Sequence, residues 1–363
     1  MSRVTTSAFV WALAGEAAFA IAIIFPGLMQ ASANWPVSSP ESVGISQKAL
    51  DSLRARLQDD PNRDLKGIVV VRHDRLAVEW YFNGDDQTTL HDIRSATKSI
   101  TATLMGIAID HHLIGGVNDP VGKYLPGLPN DGKHAIRIRD LLTMRSGLAA
   151  DDHDPDSPGN EDRLDQSTDW MRSMFAVPMK TSPGQNYRYC SLNAFIAGAI
   201  VENASGVPLD QFARKYLFSA LGIGDFKWRH VPINRVVGQG NLYITTRDEA
   251  AIGQLFLQSG RWTNGQLVSA QWVRDCLSDI VPISAVDPYA DFYGYMWYTR
   301  AEPVEGRSVL VHFASGNGGN KIYVVPSKDM VVAITSSAYN KGYGQRRSED
   351  TLLSILAAAS DSN

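Results

Sequence analysis

At 363 residues, with ordinary shares of apolar and charged residues, the chain can bury a large core as one big domain or two interleaved ones. A formal net charge of −4 and the lack of any long basic run exclude the electrostatic footprint of a nucleic-acid-binding protein. Its two cysteines, Cys190 and Cys276, make no disulfide framework and no metal-ligand spacing, so no disulfide, metal or cofactor is expected.

In chain order, residues 8–28 are largely apolar, interrupted by Glu16, and Ala31-Ser32-Ala33 offers a small-x-small cleavage site. This is the pattern of a secretory signal over residues 1–33, and it predicts a periplasmic or secreted protein. An N-terminal membrane anchor is the alternative, although the uncharged run 17–29 is shorter than a usual span. Residues 38–42 read as a linker. Residues 45–57 read as an amphipathic helix with Leu50, Leu53 and Leu57 on one side. Residues 67–82 read as two strands joined at His73-Asp74-Arg75.

A helix then opens at Ser95, carries apolar residues such as Ile100, Leu104, Ile107 and Ala108, and ends near Gly115-Gly116. From 119 to 217 the pattern is helical and loop-rich, with a short helix at 138–144 closed by Ser146-Gly147. Residues 151–169 form an acidic loop long enough to be either functional or disordered, and well placed to cap a cleft. Beyond it come a strand at 239–246 and a helix at 247–260. Strands at 292–298, 309–313, 322–325 and 330–335 follow, and then a helix at 348–359. The organisation is α+β. A sheet domain is drawn from 34–92 and 218–363, a helical domain from 93–217 is inserted in it, and the seam between them is where a pocket would form.

The chemistry starts at Ser95-Ala96-Thr97-Lys98. Residues three apart share a helix face, so hydroxyl and amine can touch, and a partly desolvated amine beside a hydroxyl can act as a base. The helix N-terminus adds backbone N–H groups where an oxyanion would be stabilised. Downstream, residues 182–202 are a turn entering an apolar helix, and Tyr189 there could approach the pair; a phenol becomes a usable base when an ammonium stabilises its phenolate. Tyr187 is the alternative if the register slips by two. Residues 309–320 read as a strand ending in small residues, where Gly316 would admit a substrate carbonyl close to the backbone.

Taken together these segments resemble the β-lactamase-related serine hydrolases: class C β-lactamases, D-alanyl-D-alanine carboxypeptidases, esterases and 6-aminohexanoate-dimer hydrolases. Ser95-Ala96-Thr97-Lys98 is similar to the first family motif, and Asn118-Asp119-Pro120-Val121 with Tyr124-Leu125-Pro126 to the segment that follows it. Asp140 to Leu148 resembles the string "LLTHTSGL", with Met144-Arg145 as variants. Pro183-Gly184 through Tyr189-Cys190-Ser191 to Gly198 resembles the tyrosine motif, and Gly240, Leu242, Asp248, Ala250 and Gly253 are also family-like. The resemblance implies a β-lactamase/transpeptidase-like fold, an antiparallel sheet flanked by helices with a mainly helical insert. It implies Ser95 as nucleophile, Lys98 and Tyr189 as the general base, and the N–H groups of Ser95 and Asn317 as oxyanion donors. Ser191 would orient Lys98 or the substrate.

Two departures set the expected substrate. Ser191 stands where the family usually has asparagine, a form closer to the esterase and aminohexanoate-hydrolase branch. Ala314-Ser315-Gly316 stands where Lys-Thr-Gly or His-Thr-Gly is usual, which removes the cation that grips a carboxylate; His312 and Lys321 are close in sequence, with faces unassigned. The favoured reading is therefore hydrolysis of a small neutral ester or amide through an acyl-enzyme. A cell-wall carboxypeptidase or β-lactamase, and an inactive binding protein on the same fold, are the alternatives. For the N-terminus, sequencing of the mature protein should begin near Asn34, and retention of Met1 to Ala33 would rule cleavage out.

Overall fold

A computed structural model describes residues 33–232, 235–263 and 265–360. The N-terminal apolar stretch, with its expected cleavage or anchoring, lies outside the described residues. No helix among the described residues is long and apolar enough to cross a membrane.

One eight-stranded antiparallel sheet organises the molecule. Across it run Val281–Pro282, Phe292–Tyr293, Tyr298–Val304, Arg307–Gly316, Asn320–Val325, Met330–Ser336, then β1 (Leu65–Arg72) and β2 (Arg75–Tyr81). The expected joint of the β1–β2 hairpin is present: His73 and Asp74 both adopt positive φ (52° and 56°). Such turns match the twist of the flanking strands, and Asp and His tolerate that backbone better than most residues. β1 pairs on its other edge with Met330–Ser336, Ile68 opposite Ile334 and Val70 opposite Val332. Both faces of β1 are buried, which is why Ile68-Val69-Val70-Val71 shows no polar alternation. Val69, Val71, Val331 and Ala333 share a cluster with Ala250 of the helix Thr246–Leu257, while α1 (Gln47–Gln58) packs against the C-terminal helix Gly342–Ala358.

The single strand expected at 292–298 is two strands, Phe292–Tyr293 and Tyr298–Val304, separated by a turn in which Met296 takes φ 59°. The apolar run Tyr293 to Tyr298 hides that turn because the turn itself is buried. The segment expected as a strand at 239–246 shortens to Leu242–Ile244 and belongs to a separate three-stranded sheet with His91–Asp92 and Lys227–Trp228.

The helical part centres on α2 (Thr97–Asp110), which packs against the helix Ser191–Ser205. Every residue of α2 from Thr97 to Ala108 is buried. A helix buried around its whole circumference belongs in a core, and here that core anchors the turn that carries Ser95. Gly106 shows how close the packing is: a Cβ built there would lie 2.4 Å from the Trp272 indole. Gly106→Ala therefore sets a helix-propensity gain of about 1 kcal/mol against an overpacking cost of about 1–3 kcal/mol. Chemical denaturation should show a net loss of stability despite the better helix former.

Candidate active site

Ser95 does not lie in the first turn of the α-helix. It occupies a 3-10 turn, Arg94–Ala96, between the strand His91–Asp92 and α2. Arg94 holds φ at 52°, a left-handed conformation that costs a long side chain on the order of 1–3 kcal/mol. The surroundings enforce it: the Arg94 N–H donates to Asp92 Oδ1 at 2.9 Å, and the guanidinium stacks over the Tyr339 ring at 4.3 Å. The three-residue spacing still works across the junction. Lys98 Nζ, 1% exposed, donates to Ser95 Oγ at 2.8 Å and to the Gln239 carbonyl at 3.0 Å.

Tyr189, on the extended residues that lead into the helix Ser191–Ser205, comes to the same place. Lys98 Nζ stands 5.2 Å from its ring centroid, and the phenol interacts with both Ser95 and Lys98. Burial pushes the Tyr189 pKa up, opposed by Lys98 and Ser95, and the net direction is upward. For Lys98, burial acts against the charge, but Tyr189, Glu161 and Asp152 outweigh it and hold the pKa above the usual lysine value. Each group's charge acts on the other, so Lys98 and Tyr189 titrate as a pair.

The two carboxylates come from the acidic loop, which is ordered. Buried Asn160 gathers it, donating from Nδ2 to the carbonyls of Asp151, Asp152 and Asp154 while its Oδ1 caps the short helix Glu161–Asp165. Asp151 pairs with Arg188 at 2.6 Å. Burial raises Asp152 and Glu161 above ordinary carboxylates, and the Lys98 charge partly offsets this. Asp152, His153, Asn160, Glu161 and Asp162 face Ser95 and Tyr189 across a cleft of about 450 Å³.

Ser315, Gly316 and Asn317 form the opposite wall of this cleft. Gly316 is required by close approach: a Cβ there would lie 2.0 Å from the Ile93 carbonyl oxygen, so only glycine lets this strand end abut the turn that carries Ser95. The exposed Asn317 side chain exchanges hydrogen bonds with Asn340, at 2.6 Å to its side chain and 2.7 Å from its N–H. The two unassigned cations separate. His312 turns to Thr299 at 2.8 Å, and burial pushes it down to about 4. Lys321, directly opposite Ser315 in the strand register, donates to Ser315 Oγ at 3.1 Å and to the Tyr289 hydroxyl.

Of the residues expected from sequence, Ser95, Lys98, Tyr189, Gly316 and Asn317 converge on the cleft. Ser191 turns to the acidic loop: its N–H donates to Asp152 Oδ2 at 2.7 Å, and its hydroxyl interacts with the carboxylates of Asp152 and Glu161. Tyr187 faces Asp287, 3.5 Å from its carboxylate, rather than Ser95. Both cysteines are buried free thiols. Sequence reasoning missed Asp152, Glu161, Tyr289 and the Lys321–Ser315 contact. The composition of the acidic loop was a signal for the first two; which acids turn inward depends on packing against Lys98.

The family model described as Beta-lactamase matches residues 53–358. The chain is 24% identical over 314 residues to the 6-aminohexanoate-dimer hydrolase of Paenarthrobacter ureafaciens, covering 79% of this chain and 77% of that one. It is 28% identical over 210 residues to a Salmonella heidelberg protein provisionally named a D-alanyl-D-alanine carboxypeptidase, 51% of this chain and 49% of that one. The match thus spans about half the length of that relative. Among solved structures, a penicillin-binding protein homologue from Caulobacter crescentus superposes with a TM-score of 0.69 at 15% identity, over 90% of this chain and 100% of that one. A class C beta-lactamase gives 0.65 at 16% identity, over 87% and 97%. These likenesses show the fold.

The acidic loop gives a test of the site's electrostatics. Glu161→Gln removes a negative charge that favours the Lys98 cation, so the Lys98–Tyr189 pair should release its proton at lower pH. The rate at which a fluorophosphonate modifies Ser95, followed by intact mass against pH, should have its rising limb displaced to lower pH. A limb that does not move would remove Glu161 from the control of the pair.

Proposed function

We propose, for a chain that belongs to the beta-lactamase family and is a serine hydrolase of that kind, hydrolysis of a small ester or amide through an acyl-enzyme on Ser95. The observation that carries this reading is the contact of Lys98 Nζ with Ser95 Oγ at 2.8 Å, with Tyr189 against both. Ser95 Oγ bonds to the carbonyl carbon while its proton passes to the Lys98–Tyr189 pair. The pair returns that proton to the departing alcohol or amine as the C–O or C–N bond breaks. Water, activated by the same groups, then releases the acid and restores Ser95. The N–H groups of Ser95 and Asn317 serve the oxyanion, each worth about 3–4 kcal/mol by the measured effect of such donors.

The lining of the cleft supports a neutral or amine-bearing substrate over a carboxylate-bearing one. Asp152, Glu161, Asp162 and Asp287 all face the cavity, and like charges brought into so enclosed a space repel. The positive group nearest the third motif, Lys321, sits behind two hydroxyls rather than in the cleft, and burial pushes its pKa down to about 7. This weighs against the carboxypeptidase and β-lactamase alternative. The Ser95–Lys98–Tyr189 grouping weighs against an inactive binding protein.

Intact-mass analysis after a fluorophosphonate, with turnover of p-nitrophenyl butyrate measured in parallel, tests the reading. An adduct mapping to Ser95 is expected. Ser95→Ala should lose the adduct and about 10⁴-fold or more of the turnover while keeping its thermal midpoint. Full turnover in Ser95→Ala would end the mechanism, and stoichiometric labelling by a fluorescent penicillin would move the substrate class to β-lactams or cell-wall peptides.

A further inference from the structure

A short strand pair ends beside Ser95, and one buried carboxylate lies at its end. His91–Asp92 pairs with Leu242–Ile244, and the last rung is the Ile93 N–H on the Leu242 carbonyl at 3.0 Å. Past that rung both chains leave through a residue in the left-handed region, Arg94 at φ 52° on one side and Asn241 at φ 54° on the other. Neither is glycine, so each conformation is held by contacts outside the backbone. Asp92, 5% exposed, supplies one to both. Its Oδ1 accepts the Arg94 N–H at 2.9 Å, and its Oδ2 accepts Asn241 Nδ2 at 2.9 Å, with Arg94 Nε 3.4 Å away.

We propose that Asp92 is a positioning residue: its carboxylate joins the turn that carries Ser95 to the segment that carries the Gln239 carbonyl, and so sets the contact between Ser95 Oγ and Lys98 Nζ. The inference rests on the hydrolase reading for the site and adds a residue that acts on Ser95 from behind, through Arg94 and Asn241. Lys98 Nζ takes one acceptor from each chain, Ser95 Oγ at 2.8 Å and the Gln239 carbonyl at 3.0 Å. Ser95 follows Arg94 directly, and Gln239 precedes Asn241 by two residues. A shift of either chain at the end of the strand pair therefore moves one acceptor of the ammonium against the other.

The remaining bonds tie each chain to a different support. The Val237 and Gly240 carbonyls accept Trp228 Nε1 at 2.8 and 3.1 Å, and the Gly238 carbonyl accepts Thr101 Oγ1 of α2 at 2.6 Å. On the other side the Arg94 guanidinium lies over Tyr339, whose hydroxyl donates to the Asp92 carbonyl at 3.1 Å. Beyond the last rung, the Asp92 side chain is what links the Arg94 turn to Asn241. The link needs a carboxylate in particular. Both of its oxygens accept, whereas an amide in its place accepts on one side and sets its NH2 against a donor on the other.

The test exchanges the two partners. Asp92→Asn keeps the shape and breaks the match of donors to acceptors. The rate of fluorophosphonate labelling of Ser95 and kcat on p-nitrophenyl butyrate should each fall about tenfold or more, with KM changed about twofold at most, because placement of Ser95 is lost and not substrate binding. Asn241→Asp alone sets two carboxylates together and should also be slow. Combining the two substitutions reverses donor and acceptor, and aspartate tolerates a left-handed backbone, so the double variant should recover most of the lost rate. Asn241→Gly keeps that backbone and deletes the Nδ2 bond alone; it should be slowed in the same way, and it carries the test if Asp92→Asn does not fold. Wild-type rates in the folded single variants, or a double variant no faster than they are, would overturn the proposal. NMR of protein carrying ¹³C-labelled lysine needs no turnover. The signal lost in Lys98→Met should move in Asp92→Asn and in Asn241→Gly and return in the double variant; a signal that stays in place throughout would equally overturn it. Wild-type protein that neither labels nor turns over an ester, with those movements present, would count against the hydrolase reading and leave Asp92 holding the Ser95–Lys98 contact.

Discussion

A lysine side chain taken wholly out of water costs several kcal/mol unless its charge is matched and its protons are accepted, and Lys98 is in that position. Three separate parts of the chain meet to satisfy it. The 3-10 turn brings Ser95 Oγ, the segment before Leu242–Ile244 brings the Gln239 carbonyl, and the acidic loop brings negative charge. Removing any one leaves a buried cation under-satisfied, so the geometry needed for chemistry and the geometry needed for stability coincide here. The strained Arg94 belongs to the same bargain, since its left-handed backbone lets Ser95 sit above α2 rather than within it.

Two buried lysines stand behind the walls of the cleft in opposite environments. Lys98 is surrounded by groups that stabilise its charge and keep it protonated, whereas Lys321 is surrounded mainly by aromatic rings and hydroxyls that leave its charge poorly compensated. One fold thus places a reluctant proton donor on the Ser95 side and a labile one behind the opposite wall. The difference arises from which loop packs over each lysine, not from the lysines themselves.

The sequence was most legible where local pattern and family spacing agreed. Ser95 with Lys98, the apolar run of α2, the hairpin at His73-Asp74 and the strands around Ser315 could all be placed without coordinates, because each depends on neighbours within a few residues. What could not be placed depends on contacts across long separations. The turn at Met296 is buried and so carries no polar marker, and Ser191 meets Asp152 only because the loop from 151 folds back over the tyrosine motif. Lys321 is the sharpest case. Six residues beyond Ser315 its face cannot be assigned from sequence, yet the tight turn between their strands sets the two directly opposite each other.

The pairing of β1 with Met330–Ser336 has a kinetic consequence. β1 finds this partner only after every other strand of the sheet has been made, because Met330–Ser336 is the last of the sheet's strands in chain order. Such long-range closure is intrinsically slow, and until it happens β1 presents an unpaired apolar edge. A nascent chain that stops before Met330 lacks this partner although it already holds α2, the serine turn and Ser315 to Asn317. The sheet therefore closes late, and loss of Met330–Ser336 should be far more damaging than its distance from Ser95 in the sequence would suggest.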